Sequence, residues 1–131
     1  MLMKKITLLL FLLIINFSFS QKKELRKALK LYEADDITGA EKLLTDFKLI
    51  LETADQKVKT SYDFLRAKIA QHNEDFTQAY DLLLSLKESS SIKDDVANQM
   101  DMLSTDIVDS AIDDNEKSDF KNASRKLHMA Y

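Results

Sequence analysis

The chain has 131 residues, of which one is glycine and none is proline or cysteine, and its formal net charge is −3 at pH 7. The shortage of glycine and proline excludes a β-sandwich or β-barrel, whose many tight turns depend on these residues. The absence of cysteine excludes a disulfide framework, a cysteine nucleophile and a lipid attached through cysteine. The mildly acidic balance argues against a nucleic-acid-binding protein, since phosphates require clustered lysine and arginine.

Residues 1–20 have the three parts of a secretory signal peptide. Lys4 and Lys5 form a basic start, residues 6–15 are apolar apart from one threonine, and serines lie one and three positions before Gln21. The apolar run of about ten residues is shorter than the roughly 20 that a membrane-spanning helix needs, so cleavage before Gln21 is favoured over an uncleaved membrane helix. Cleavage would remove two lysines and no acidic residue, so the mature chain would have a net charge of −5. We expect it in the periplasm of a Gram-negative bacterium, or secreted, without a stable membrane anchor.

The remaining chain, about 110 residues long, predicts one domain built from helices and short polar turns. Its apolar residues recur at spacings of three and four, which is the pattern of amphipathic helices. Serines at 89–91 form the segment with the weakest helical tendency. The predicted helices cover residues 22–34, 37–53, 57–72, 76–88, 93–115 and 120 onward.

Three segments of the sequence repeat one another: DITGAEKLLTDF from Asp36, DFTQAYDLLLSL from Asp75 and DFKNASRKLHMA from Asp119. Each aspartate is predicted to cap a helix, because its carboxylate can accept a hydrogen bond from a free backbone N–H of the first turn. An alanine lies eight residues before and another four residues after each aspartate, where small side chains let two helices approach closely. These alanines are Ala28, Ala40, Ala67, Ala79, Ala111 and Ala123.

The spacing of these alanines and of the apolar residues after them resembles the tetratricopeptide repeat. The resemblance covers essentially the whole mature chain and implies an all-α fold of antiparallel helical hairpins, stacked as a short α-solenoid. It implies about three units, over residues 21–53, 57–89 and 93–131, with the last incomplete. The units recur after 39 and 44 residues rather than about 34, and they lack the tryptophan and proline of the family pattern. We therefore expect helical hairpins whose stacking is less regular than in the family.

No group of residues in the sequence predicts an enzyme site, a cofactor or a small-molecule ligand. Glycine-rich phosphate loops, HExxH and GxSxG are all absent from the chain. His72 and His128 occupy unrelated positions of their units, which favours surface residues over a metal-ligand pair. Asp106, Asp109 and Asp113 share one helix face and could bind a cation, but the apolar opposite face favours an ordinary amphipathic helix.

The resemblance implies a function in protein binding, since first helices of such repeats commonly line a surface that holds a peptide or another protein. We expect an exported, non-catalytic scaffold in the bacterial cell envelope whose partner is a protein. The alternative is an N-terminal accessory repeat region of a larger envelope enzyme, or of an outer-membrane assembly or transport component, whose working domain is absent from this chain. By resemblance, the candidate partner-binding residues are Lys22, Arg26, Leu29, Leu65, Lys68 and His72.

The last thirteen residues, DFKNASRKLHMAY, form the second helix of the third unit in this interpretation. Phe120, Ala123, Leu127 and Ala130 are the stripe predicted to be buried. Helical arrays commonly end in a helix with a polar outer face, and this segment has none after it. We therefore expect the repeat domain to continue beyond residue 131 and the last helix to be the least stable.

Overall fold

A computed structural model describes residues 20–89 and 91–130, and every regular element in these ranges is an α-helix. The predicted all-α fold is therefore confirmed. Residues 1–19, which carry nearly all of the predicted signal peptide, lie outside the described residues. The helices are α1 (residues 20–33), α2 (Ile37–Leu51), α3 (Gln56–His72), α4 (Phe76–Leu86), α5 (Lys93–Glu116) and α6 (Phe120–Ala130).

Two helices, α2 and α4, end two residues earlier than the sequence predicted. At the end of α2, the Thr53 hydroxyl donates a hydrogen bond to the Ile50 carbonyl at 3.0 Å. Two residues later, the Asp55 carboxylate caps α3 by accepting a hydrogen bond from the Val58 N–H at 2.8 Å. Because these side chains bond to backbone groups at the end of one helix and the start of the next, α2 can end and α3 begin within a few residues.

The turns that join α1 to α2, α3 to α4 and α5 to α6 have the same geometry. The residue before each capping aspartate is left-handed, with φ of 62° at Asp35, 59° at Glu74 and 62° at Ser118. In all three turns, the next backbone N–H donates to the carbonyl five residues earlier, at 2.8–2.9 Å. This is the Schellman arrangement, which satisfies carbonyl groups at the end of a helix.

The predicted caps of the second helices are confirmed. The carboxylates of Asp36, Asp75 and Asp119 accept a hydrogen bond from the backbone N–H three residues later, at 2.9, 3.1 and 3.3 Å. Each carboxylate also lies at the positive end of a helix dipole, which favours its charge. The same turn and the same cap therefore recur three times, each between two successive helices.

Gly39 stands where the other two units carry Gln78 and Asn122. A Cβ atom at Gly39 would lie 2.3 Å from Oδ2 of Asp36, so a side chain there would push the capping carboxylate away. In the two units that have a Cβ at this position, the capping hydrogen bond is longer by 0.2 and 0.4 Å. Gly39 therefore allows the closest of the three contacts between a capping carboxylate and its helix.

We predict that Ser118→Gly stabilises the protein by about 0.5–1 kcal/mol, because glycine adopts the left-handed conformation without a Cβ penalty. The matched control is Ser104→Gly, the same change at an exposed position within α5. It should destabilise the protein by about 0.5 kcal/mol, since glycine weakens a helix interior. Urea unfolding of both variants measures the difference, and a destabilised Ser118→Gly protein would contradict the left-handed turn.

The chain divides into two compact halves, the first ending at Leu65 and the second beginning at Arg66. In the core of the first half, the ring of Phe47 stacks on that of Tyr62 with 5.7 Å between centroids. The Tyr62 hydroxyl donates a hydrogen bond to the Leu44 carbonyl at 3.2 Å. This aromatic pair fixes α2 against the first part of α3.

In the second compact half, α5 packs against both α4 and α6. Polar contacts join α5 to the last part of α3: the Gln71 amide accepts a buried hydrogen bond from Gln99 at 2.8 Å and donates a partly buried one to Asp106 at 2.5 Å. Across both halves, the six alanines of the repeat have at most 5% of their surface exposed, as the predicted close helix contacts require. The largest fully buried side chains are Leu83, Val96, Leu103 and Ile107.

Candidate functional site

Three of the residues predicted to bind a partner lie together on α1. Lys22, Arg26 and Leu29 are four and then three residues apart, so they share one helix face, and all three are exposed. Lys22 also forms an ion pair with Asp55, with 3.4 Å between Nζ and Oδ2. An exposed pair of this kind contributes little to stability, so Lys22 can exchange this partner for another at small cost.

The other three predicted residues lie on α3, and one of them faces the core. Leu65 is 3% exposed, so it offers no surface to a partner, contrary to the sequence prediction. Lys68 is half-buried and His72 is exposed, one helical turn apart on the same side of α3. The structure therefore leaves Lys68 and His72 as the accessible members on this helix.

The Asp55 carboxylate, which caps α3 beside Lys22, should make a pH-dependent contribution to the stability of the protein. The hydrogen bond from the Val58 N–H lowers the pKa of Asp55 below the ordinary value of 3.8; desolvation opposes this shift and Lys22 reinforces it. Because the folded state favours the ionised carboxylate, Asp55 stabilises the protein above pH 3.8, and this contribution is lost as the pH falls through the folded-state pKa.

We predict that Asp55→Asn, which keeps a capping oxygen and removes the charge, is less stable than the parent chain at pH 7. The difference should shrink as the pH falls and vanish below the folded-state pKa of Asp55, where both side chains are neutral. Urea unfolding across this pH range measures it, with Asp46→Asn at an exposed position of α2 as control. A difference for Asp55→Asn that persists at low pH would contradict the role assigned to the charge.

The apolar stripe of α6 is less buried than the sequence predicted. Within α6 only Ala123 is buried, and Ala130 is half-buried. Phe120 is 64% and Leu127 is 41% exposed. The helix packs against α5, and the exposed fractions of Phe120 and Leu127 show that the side of the stripe turned away from α5 meets solvent.

Basic residues lie beside this exposed stripe. Lys121, Arg125 and His128 follow one another at helical spacing and are all exposed, and α6 contains no acidic residue. We call these three residues, together with Phe120 and Leu127, the α6 outer face. It combines apolar contact area with positive charge, which is the composition of a binding surface for an acidic and partly apolar partner.

The fourth basic residue of α6 has a structural role. Lys126 Nζ lies 2.7 Å from Asp114 Oδ2 and donates a hydrogen bond to the Ser110 hydroxyl at 2.7 Å, and both charged side chains are 18% exposed. Asp114 Oδ2 is buried and accepts no aligned hydrogen bond, so the contact with Lys126 is one of charge. The equivalent pairs in the other units are apolar, Leu31 with Leu43 and Ala70 with Leu82. The ion pair could have been predicted from the sequence, because Asp114 and Lys126 are charged residues at two repeat positions that are apolar in the other two repeats.

We predict that Lys126→Met lowers the free energy of unfolding by about 1–3 kcal/mol, because the Asp114 carboxylate would be left half-buried without a cation. The double variant Asp114→Leu/Lys126→Leu introduces the leucine pair of the first unit and should recover most of this loss. Urea unfolding of the single and double variants measures the coupling. A double variant less stable than Lys126→Met would contradict the assigned pairing.

The acidic face of α5 is partly used within the fold. Asp106, Asp109 and Asp113 are all exposed, and Asp106 accepts a hydrogen bond from Gln71. Within residues 20–89 and 91–130, no group of three or more histidine, aspartate or glutamate side chains is placed to hold a metal ion. The described acidic side chains therefore give no basis for proposing a cation site.

An open groove of about 510 Å³ lies beside α4, and its lining includes Arg66, Asp75 and Asp81. The same lining contains polar side chains and one leucine, Leu82. Because charges of both signs line this groove, it does not select either an anion or a cation.

Comparisons with known proteins do not extend this description. Neither protein-family models, nor curated proteins, nor solved structures match the chain. No helix in the described part of the chain is both long and apolar enough to cross a membrane. The features of the described chain that bear on function are the recurring turn and cap and the two exposed helix faces, on α1 and on α6.

Proposed function

We propose that this chain is an exported, non-catalytic helical-repeat protein, built like tetratricopeptide repeats, that holds other proteins in the bacterial cell envelope. The observation that carries the proposal is the threefold recurrence of one turn and cap, at Asp36, Asp75 and Asp119. Repeated helical hairpins supply extended side surfaces rather than a single deep pocket, which suits contact with a protein or peptide. Export is supported by the signal-like pattern of residues 1–20.

The face of α1 is the preferred contact surface in the first unit. Lys22, Arg26 and Leu29 offer two cations beside an apolar side chain on a regular helix. A rigid helix face of this composition binds a partner through apolar contact and through charge-assisted hydrogen bonds. A photoreactive residue placed at Arg26 and expressed in a Gram-negative host tests this surface.

The expected result is a small number of discrete crosslinked products from Arg26 that a control position does not give. Leu49 is a suitable control, because it is 87% exposed and lies on α2 rather than α1. Equal products from both positions, or none from either, would reject the α1 face as a partner-binding surface. N-terminal sequencing of the periplasmic fraction tests export separately, with Gln21 expected as the first residue.

A further inference from the structure

The α6 outer face corresponds to a helix face that is covered in the preceding unit. Phe76 and Leu83 of α4 occupy the repeat positions of Phe120 and Leu127, yet they are only 6% and 0% exposed. A later helix, α5, packs against α4, whereas no described helix follows on α6. The same pattern of apolar residues is therefore buried in one unit and open in the next.

The neighbour of α4 indicates the kind of element that fits such a face. It is an amphipathic helix, with Val96, Leu103 and Ile107 on its buried side. It is also acidic, since residues 93–116 contain seven aspartates and one glutamate but a single lysine. The helix that packs against α4 therefore has an apolar stripe and acidic flanks.

The charges of the α6 outer face select a partner of the same kind. Lys121 and Arg125 are exposed on a helix without acidic residues. A partner helix with carboxylates beside its apolar stripe would pair with these cations, and a basic partner would be repelled. A two-fold contact between the α6 helices of two copies would place like charges together, so it is disfavoured for the same reason.

We propose that the α6 outer face binds an acidic amphipathic helix of a partner protein. The partner's apolar stripe packs on Phe120 and Leu127, and its carboxylates pair with Lys121 and Arg125. This surface is separate from the face of α1, so the inference goes beyond the proposed function and its test gives an independent result.

The test uses a fluorescent peptide with the sequence of residues 93–116, which is an acidic amphipathic helix already present in this chain. Fluorescence anisotropy should give saturable binding to the full mature chain at low salt. Phe120→Ser and Leu127→Ser should each weaken binding about tenfold, which corresponds to about 1.4 kcal/mol. Lys121→Glu/Arg125→Glu should weaken it by at least as much at low salt, and the effect should shrink at high salt.

Lys23→Glu/Lys30→Glu is the matched charge reversal, at exposed positions of α1, and should change the affinity less than about twofold. Circular dichroism verifies that each variant keeps the helix content of the parent. The proposal is overturned if no binding occurs up to about 1 mM peptide, or if Phe120→Ser and Leu127→Ser bind as the parent does. It is also overturned if the chain self-associates in sedimentation runs and these two substitutions abolish that association, because a second copy would then occupy the face.

Discussion

Replacing Leu83 with alanine should lower the free energy of unfolding by about 2–5 kcal/mol, whereas the same replacement at Leu127 should cost less than about 1 kcal/mol. The two leucines hold equivalent positions of the repeat, but Leu83 is fully buried and Leu127 is 41% exposed. Removing three carbon atoms from a packed core leaves a cavity, while removing them from a half-open face exposes little that was buried. The pair therefore compares one chemical change in two states of burial.

Urea unfolding of the two variants, followed by circular dichroism, measures this contrast. The slope of the unfolding free energy against urea should match that of the parent chain in both variants, so that the midpoints report stability directly. Equal losses at the two positions would contradict the finding that Leu127 is far less buried than Leu83.

The second large effect is expected at the close helix contacts made by the repeated alanines. Ala79 has no exposed surface, so Ala79→Leu must force its extra carbon atoms into a space that is already filled. Such overpacking costs about 1–3 kcal/mol, and more where two backbones are held close together. The same change at Ala97, an exposed position of α5, should alter stability by less than about 0.5 kcal/mol.

Thermal and urea unfolding of Ala79→Leu and Ala97→Leu test this difference. Both variants replace an alanine by a leucine within a helix, so a difference in helix propensity does not explain a difference in their stability. An Ala79→Leu protein as stable as the parent would show that the alanine is not required for close packing of the second hairpin.

The sequence predicted the helices and turns well because their signals are local. An aspartate cap acts within three residues of its helix, and the left-handed residue before it terminates the previous helix through backbone hydrogen bonds alone. Each of the three caps, at Asp36, Asp75 and Asp119, therefore identified a real boundary without knowledge of the tertiary structure. The stacking of the hairpins as a solenoid depends on long-range packing and stays a prediction.

The orientation of individual side chains was harder to predict. Leu65 was expected on an accessible face of α3, but this helix is buried around much of its circumference. The consecutive residues Ile69, Ala70 and Gln71 are all buried, and three consecutive positions cover about 200° of a helix. When a helix has neighbours on several sides, a family's register does not identify which of its faces meets solvent.

The α6 outer face shows a second limit of prediction from periodicity. The spacing of Phe120 and Leu127 correctly identifies the apolar side of α6, but burial also requires another element to cover that side. In the second repeat, α4 has the following helix, α5, packed against it. In the third repeat, no described helix follows α6 to take the equivalent position. An apolar stripe therefore predicts the need for a contact and leaves its partner open.

Amide hydrogen exchange compares the covered and the open helix within one molecule and tests this difference most directly. We expect the amides of residues 82–86 in α4 to exchange only through openings close to global unfolding, because this helix is packed through Phe76, Ala79, Leu83 and Leu86. The amides of α6 should exchange at a clearly lower free energy, since Ala123 is its one buried residue. Equal protection of α4 and α6 in the isolated chain would contradict the conclusion that the third hairpin has an open face.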